Sequence, residues 1–256
     1  MSGMEQIPDE QIEIIDKAKL KARTRRSFLA VGGGALLGVI GFRWLLSGNS
    51  GNAPTLLRKA FHFNEKISRR FFAPSRENSR TAAPAKGTEF RLNGDIGLDY
   101  EVDLASWSLV YGPAQGGVQK SLTLADLEKL PQSSTQAEFR CIEGWSEPIA
   151  YSGVRFSDFL EAIDPSGKTM PYVGLETPDA EYFVGVDMES MLHPQTLLAT
   201  SLNGEPLSDD HGAPVRLIIP VKYGIKSLKR VGRIFLATHQ PRDYWAQEGY
   251  DWYSGL

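Results

Sequence analysis

Residues 87–256 read as an α+β domain in which mixed, largely antiparallel sheets lie under a few short covering helices. Short strand-like runs alternate with short helical ones along this stretch, with no repeat and no long heptad pattern. No βαβ unit carrying a Gly-x-Gly-x-x-Gly turn is present, which argues against a doubly wound parallel sheet. With 12 Phe, 9 Tyr and 5 Trp in 256 residues, the chain holds enough apolar material for one substantial core.

The elements follow from local signals. Residues 98–111 are strand-like. Thr123 is placed to cap a helix that runs to Leu130, with Asp126 and Glu128 early in it and Pro131 stopping it. Residues 136–142 form a strand that ends at Cys141. Ser157 caps a second helix through Ile163, terminated by Asp164-Pro165. Strands follow at 172–176, 182–186, 196–202, 215–221 and 231–238, before an aromatic tail.

Two further segments precede this domain. Residues 1–47 are a leader in which Arg25-Arg26, ahead of Phe28-Leu29 and a glycine-rich apolar run, resembles a twin-arginine export signal. The alternative is a membrane anchor with its basic flank held inside. The uninterrupted apolar run, residues 27–42, would span roughly 24 Å as a helix, short of the ~30 Å hydrocarbon core. Export to the periplasm by the twin-arginine machinery is the expectation, with retention as an anchor left open. Residues 48–86 are a basic arm. Within it Leu56, Ala60, Phe63, Ile67 and Phe71 recur at helical spacing, so 55–72 reads as a short amphipathic helix. Residues 74–84 read as a linker laid over the surface.

The formal net charge of −3 hides an asymmetry. Residues 87–256 carry 24 acidic and 13 basic side chains, a net of −11. Yet Arg216, Lys222, Lys226, Lys229, Arg230 and Arg233 fall within 18 positions that hold no Asp or Glu. An acidic domain with one basic island makes a poor nucleic-acid binder and a plausible holder of a single small anion.

Three stretches carry candidate chemistry. Cys141 is the only cysteine, so an internal disulfide and a zinc site of several thiolates are both excluded. Its thiol is either a small buried hydrophobe or a unique soft ligand or nucleophile. Arg216 lies on an apolar strand-like run, where a charge demands a carboxylate or an anionic ligand. The run 222–230, with a glycine turn and Ser227 before Lys229, could place backbone amides and these side chains on a phosphate, although it is no Walker loop.

Together these stretches resemble the molybdopterin-binding domain of the sulfite oxidase superfamily, above all the bacterial periplasmic methionine sulfoxide reductase catalytic subunits. Four runs carry the likeness: residues 63–68, Cys141-Ile142-Glu143-Gly144-Trp145, 211–229, and Gly249-Tyr250-Asp251-Trp252-Tyr253. The resemblance implies a molybdenum–molybdopterin cofactor with Cys141 as the protein ligand to the metal. It assigns the pterin phosphate to Arg216 and to Ser227, Leu228 and Lys229. His211, Asn64 and Thr177 are further implied cofactor contacts. It implies two-electron oxygen-atom transfer, with reduction of a sulfoxide or of protein-bound methionine sulfoxide as the reading, and sulfite oxidation or a non-catalytic cofactor-binding module as alternatives. A membrane cytochrome b-type partner would supply electrons, since the chain has no Cys-x-x-Cys-His haem site.

Two departures from the sulfite oxidases matter. Glu143-Gly144-Trp145 stands where they place basic residues after the cysteine, which disfavours an anionic substrate. The residues after the aromatic tail leave no room for their immunoglobulin-like dimerisation domain. Trp145, Tyr250, Trp252 and Tyr253 either line the substrate mouth or simply pack in the core.

Overall fold

The computed structural model describes residues 17–50, 53–78, 84–92, 94–99, 102–114 and 116–256. The first part of the leader, residues 79–83 of the expected linker, and residues 100–101 of the expected first strand lie outside the described residues. The chain forms two compact units, residues 1–49 and 50–256.

The first unit is a helix, α1 (Lys17–Ser47). Its stretch Thr24–Trp44 is 21 residues long and apolar enough to cross a membrane, a test that signal sequences also pass. The helix thus runs on through Arg43, beyond the 16-residue run counted from sequence.

The first helix of the second unit is α2 (Thr55–Phe71), which its apolar period predicts. The remaining elements are β1 (Leu109–Pro113), β2 (Lys120–Leu122), α3 (Leu124–Glu128), β3 (Gln132–Arg140), β4 (Ser146–Arg155), α4 (Phe156–Ile163), β5 (Tyr172–Glu176), β6 (Phe183–Asp187), α5 (Met188–Met191), β7 (Leu197–Leu202), β8 (Glu205–Pro206), β9 (Arg216–Ile218), β10 (Arg233–Ala237) and α6 (Tyr244–Gln247). One sheet has the order β2-β1-β10-β5-β6; β10 runs parallel to β1, and its other pairings are antiparallel. The second, wholly antiparallel, has the order β8-β7-β4-β3, and β9 pairs with β7. The α+β expectation, with largely antiparallel sheets, is what the structure has.

Several boundaries moved for physical reasons. Thr123 caps α3 as expected, its hydroxyl accepting from the Asp126 amide while the Asp126 carboxylate accepts from the Thr123 amide. Ser157, in contrast, lies inside α4; Arg155 holds the cap position, with no side-chain bond there. The Asp164 carboxylate instead accepts from the Gly167 amide and caps the following turn. The long strand β4 went unread because its alternation is broken by Glu147-Pro148 and by Gly153, where a bulge interrupts its pairing with β7. A Cβ at Gly153 would sit 2.1 Å from the Leu198 carbonyl oxygen.

Strand alternation sorts the core into two clusters. Val215, Leu217 and Ile219 enter one cluster, with Leu109, Phe156, Leu175 and Ile234. Ile218 enters the other, with Ala137, Phe139, Ile149 and Ala199. Arg216 shares the parity of Ile218, and Cys141 that of Ala137 and Phe139. Both residues therefore sit on the same side of the second sheet, one strand-end apart from its core.

The basic island is mostly neutralised inside the protein. Lys222 pairs with Asp187 at 2.8 Å, both buried. Arg230 lies 3.4 Å from Asp209 and Arg233 3.4 Å from Glu176. Lys226 Nζ donates to the Gly185 carbonyl at 2.9 Å and to Asp243, whose carboxylate also accepts from the Gly185 and Ala246 amides. Removing one member of such a pair leaves a buried charge alone. Asp243→Ala should cost about 3–5 kcal/mol of unfolding free energy in a denaturant titration, whereas a loss under 1 kcal/mol would show that the pair contributes no more than a surface one.

Candidate functional site

A cleft of about 200 Å³ opens where the Cys141 turn meets the basic hairpin, lined by Cys141, Glu143, Tyr182, Arg216, Ser227 and Lys229 among others. The cysteine is free and 6% exposed. It follows the last residue of β3, and its turn is closed by bonds from the Cys141 amide to the Trp145 carbonyl (3.0 Å) and from the Gly144 amide to the Cys141 carbonyl (3.1 Å). Gly144 has a φ of 89°, which suits glycine at that corner.

Close approach of the hairpin to this turn depends on a second glycine. A Cβ at Gly224 would lie 2.5 Å from the Phe139 ring, one turn of pleat before the cysteine. The Tyr182 hydroxyl then donates to the Ile225 carbonyl at 2.6 Å, tying the hairpin to β6. Burial pushes the Tyr182 phenol well above its ordinary range, so it stays a neutral donor.

Arg216 is the anomaly. It is 1% exposed, and among the described residues its guanidinium donates to the His211 carbonyl (3.2 Å) and the Ser227 carbonyl (3.4 Å) alone. Its Nε is buried without a partner. Burial alone draws its pKa down to about 10. Lys229 Nζ donates to the Gly94 carbonyl at 2.7 Å. Burial, then the charge of Arg216, lowers its pKa to about 8, against the pull of Asp210 and Asp95. Among the described residues neither cation has a carboxylate within ion-pair distance, unlike Lys222, Lys226, Arg230 and Arg233. Two cations without an ion-pair partner on one cleft favour an anion there.

The residues fit a phosphate-bearing cofactor with a soft-metal end. The cations would hold the phosphate together with the Ser227 hydroxyl, whose oxygen accepts from the Ile219 amide at 3.3 Å. The Cys141 sulfur lines the same cleft. The hairpin amides do not converge as expected: those of Lys226, Ser227 and Leu228 are consumed by the Tyr223, Gly224 and Lys226 carbonyls in a 3-10 turn. Side chains, not a backbone cradle, would do the holding.

Other expected contacts lie elsewhere. Leu228 is fully buried in the apolar core and does not line the cleft. Asn64 is exposed on α2 and does not line it either. The Thr177 hydroxyl is spent on the turn between β5 and β6, donating to Asp179 at 2.5 Å and accepting from the Tyr182 amide at 3.1 Å. Thr177 thus positions Tyr182 and lies one layer behind the cleft. His211 supplies its carbonyl to Arg216, while its buried Nδ1 has no partner. Burial and the neighbouring cations lower its pKa, so its ring is neutral at pH 7. The turn it begins is pressed onto the hairpin: a Cβ at Gly212, φ 90°, would meet Lys229 Cβ at 2.6 Å.

Of the aromatics, Tyr250 lines the cleft, and so does Trp245, which sequence reasoning missed along with Tyr182. Trp252 donates to the Pro241 carbonyl, Tyr253 packs on Lys222, and Trp145 stacks on Phe139 beneath Arg91. Trp245 and Tyr182 lay in runs rich in aromatics, which mark packing and binding alike.

A profile of the oxidoreductase molybdopterin-binding domain matches residues 97–245, more than half of the chain. The chain belongs to that family. Within this molybdopterin-binding family, it is 36% identical over 168 residues to the putative protein-methionine-sulfoxide reductase subunit YedZ1 of Azospira oryzae, covering 65% of this chain and 63% of that one. It is 34% identical to the catalytic subunit MsrP of Xanthomonas axonopodis over 56% of this chain and 48% of that one. MsrP of Campylobacter jejuni is 27% identical over 91% and 81%. The chain therefore spans less than two thirds of the first two relatives. Among solved structures, sulfane dehydrogenase SoxCD from Paracoccus pantotrophus has a TM-score of 0.49 at 20% identity, over 70% of this chain and 53% of that one, too partial a likeness to carry an argument.

The depressed Lys229 ammonium has a consequence for pH. Between about 8 and the unfolded value of 10.5 the unfolded chain binds more protons, so stability gains with rising pH across that window, and the full cost is present below it. Lys229→Met should therefore raise the unfolding midpoint of cofactor-free protein, relative to the parent, more at pH 7 than at pH 10. A difference independent of pH would mean that Lys229 is not held down by its surroundings.

Proposed function

We propose that the chain is a molybdenum–molybdopterin oxidoreductase that reduces a sulfoxide, with protein-bound methionine sulfoxide as its substrate class. One observation carries this reading: an uncompensated buried arginine and a lysine share a cleft with the lone cysteine. The names of the relatives, methionine-sulfoxide reductase subunits, support the substrate class.

In this reading Cys141 ligates the metal, and Arg216, Ser227 and Lys229 hold the pterin phosphate. His211 positions Arg216 through its carbonyl. When bound, the cofactor supplies two-electron redox chemistry at an oxygen-accepting metal. Overall, the sulfoxide takes up two electrons and two protons and leaves as thioether and water. A membrane cytochrome b-type protein is the proposed electron source, and the periplasm the proposed location, reached through the twin-arginine machinery or with α1 kept as an anchor.

The mouth of the cleft favours a neutral substrate. Trp245 and Tyr250 offer apolar edges, their rings 5.1 Å apart. Glu143 lines the cleft too, its carboxylate held by Trp145 Nε1 at 2.8 Å. A fixed negative charge there repels sulfite.

Protein made in a host that synthesises molybdopterin should contain molybdenum and reduce methionine sulfoxide with a dye donor. Cys141→Ser should cost more than the roughly 10–100-fold typical of losing an outer-shell partner, and Arg216→Met should lower cofactor content without unfolding the protein. Protein that is free of molybdenum under those conditions would refute the reading. Glu143→Lys should raise the rate on sulfite relative to methionine sulfoxide, measured as a ratio of kcat/KM values; an unchanged ratio would remove Glu143 from substrate choice.

A further inference from the structure

Helix α2 packs onto its unit with the wrong face. Its inward contacts are polar: Glu65 is buried, accepts from Arg69 at 2.9 Å, and accepts from Gln240 at 3.3 Å. Arg69 in turn lies over the Tyr253 ring and 3.9 Å from Asp187, and Arg58 donates to the Ala246 carbonyl at 3.0 Å. The opposite face carries Leu56, Ala60, Phe63, Ile67 and Phe71, spaced so that they form one stripe along the helix. These residues are all exposed, Phe63 by 63% and Phe71 by 72%. An ordinary surface helix does the reverse, burying its apolar stripe and wetting its charges. Exposed Lys59, Lys66 and Arg70 run beside the stripe on one flank.

We propose that this outward face of α2 lies in the interface of an anionic lipid bilayer, with the apolar stripe sunk among the acyl chains and Lys59, Lys66 and Arg70 among the headgroups. Charge selects this occupant. Thr55–Phe71 holds five Arg and Lys against a single Glu, whereas residues 87–256 are net −11. An anionic surface attracts the helix and repels the domain behind it, which fixes one orientation. Cations flanking bulky apolar side chains are the pattern of helices that lie in the membrane plane. In sequence, α2 also begins eight positions after the end of a helix long and apolar enough to cross a membrane. The inference stands apart from the chemistry of the cleft, because no residue of the stripe lines it. It gives the cleft a fixed relation to the bilayer from which membrane-bound electrons would arrive.

Depth-dependent quenching tests it on the full chain. In a Cys141→Ser background, a bimane label is placed at Phe63→Cys, or as a control at Val118→Cys, an 84% exposed site on the domain. Each protein is reconstituted into vesicles of phosphatidylcholine with phosphatidylglycerol and nitroxide-labelled acyl chains, after a melt confirms that it is folded. The label at 63 should be quenched about twofold or more beyond the label at 118, because it sits among the acyl chains. The triple change Lys59→Glu, Lys66→Glu, Arg70→Glu, or replacement of the anionic lipid by phosphatidylcholine, should reduce that excess. No excess at 63 over 118 overturns the proposal and turns the stripe toward a protein partner. An excess that survives both the charge reversal and neutral lipid overturns its electrostatic half.

Discussion

One buried guanidinium sets the terms for this protein. Arg216 sits on a short strand with apolar neighbours on either side, and the described residues give it two carbonyl oxygens but no carboxylate within ion-pair distance. Lys229, whose pKa is lowered by burial and by the charge of Arg216, shares the same debt of solvation. Folding a chain around such a pair is unfavourable unless something else repays it, and a bound anion does so directly. An anion bound there would stabilise the fold as well as be held by it.

The surrounding structure keeps that charge uncompensated. Of the carboxylates near the hairpin, Asp187 is engaged with Lys222, Asp243 with Lys226, and Glu176 with Arg233 and Arg242, while Asp95 and Asp210 act on Lys229 only from beyond ion-pair distance. Burial works against ionisation of Asp187, but Lys222, Ser190 and Arg69 outweigh it and hold its carboxyl below the usual range. The Lys222–Asp187 pair ties the hairpin to the end of the edge strand β6, and Lys226–Asp243 ties it to the tail. The cleft is therefore positive at its floor, where Arg216 and Lys229 line it, while Glu143 makes another part of its lining negative. Such a field favours an anion at the floor and disfavours a second one at the mouth.

Much of the site was legible because strand parity and charge bookkeeping are one-dimensional. The lone Cys141, the strand position of Arg216 and the Ser227–Lys229 spacing all survive folding as neighbours on one cleft. Lys226 was not separable from Lys229 in the same way, because its partner Asp243 lies 17 positions away and only the fold brings them together. Thr177 was named through the family resemblance alone, and the fold puts its hydroxyl on the turn that carries Tyr182. Tyr182 and Trp245 carried no motif at all.

By itself the sequence determined the α+β character, the apolar helix near the start, the amphipathic period of α2, and the lone cysteine and basic run that the fold brings to one cleft. Those are matters of local propensity, spacing and composition. The tertiary structure decided which cations keep a counter-charge, which aromatics reach the cleft, and which face of α2 turns outward. Each of these depends on where an electrostatic or apolar partner from a distant segment comes to rest, and the periodicity of a single segment cannot encode the position of its partner.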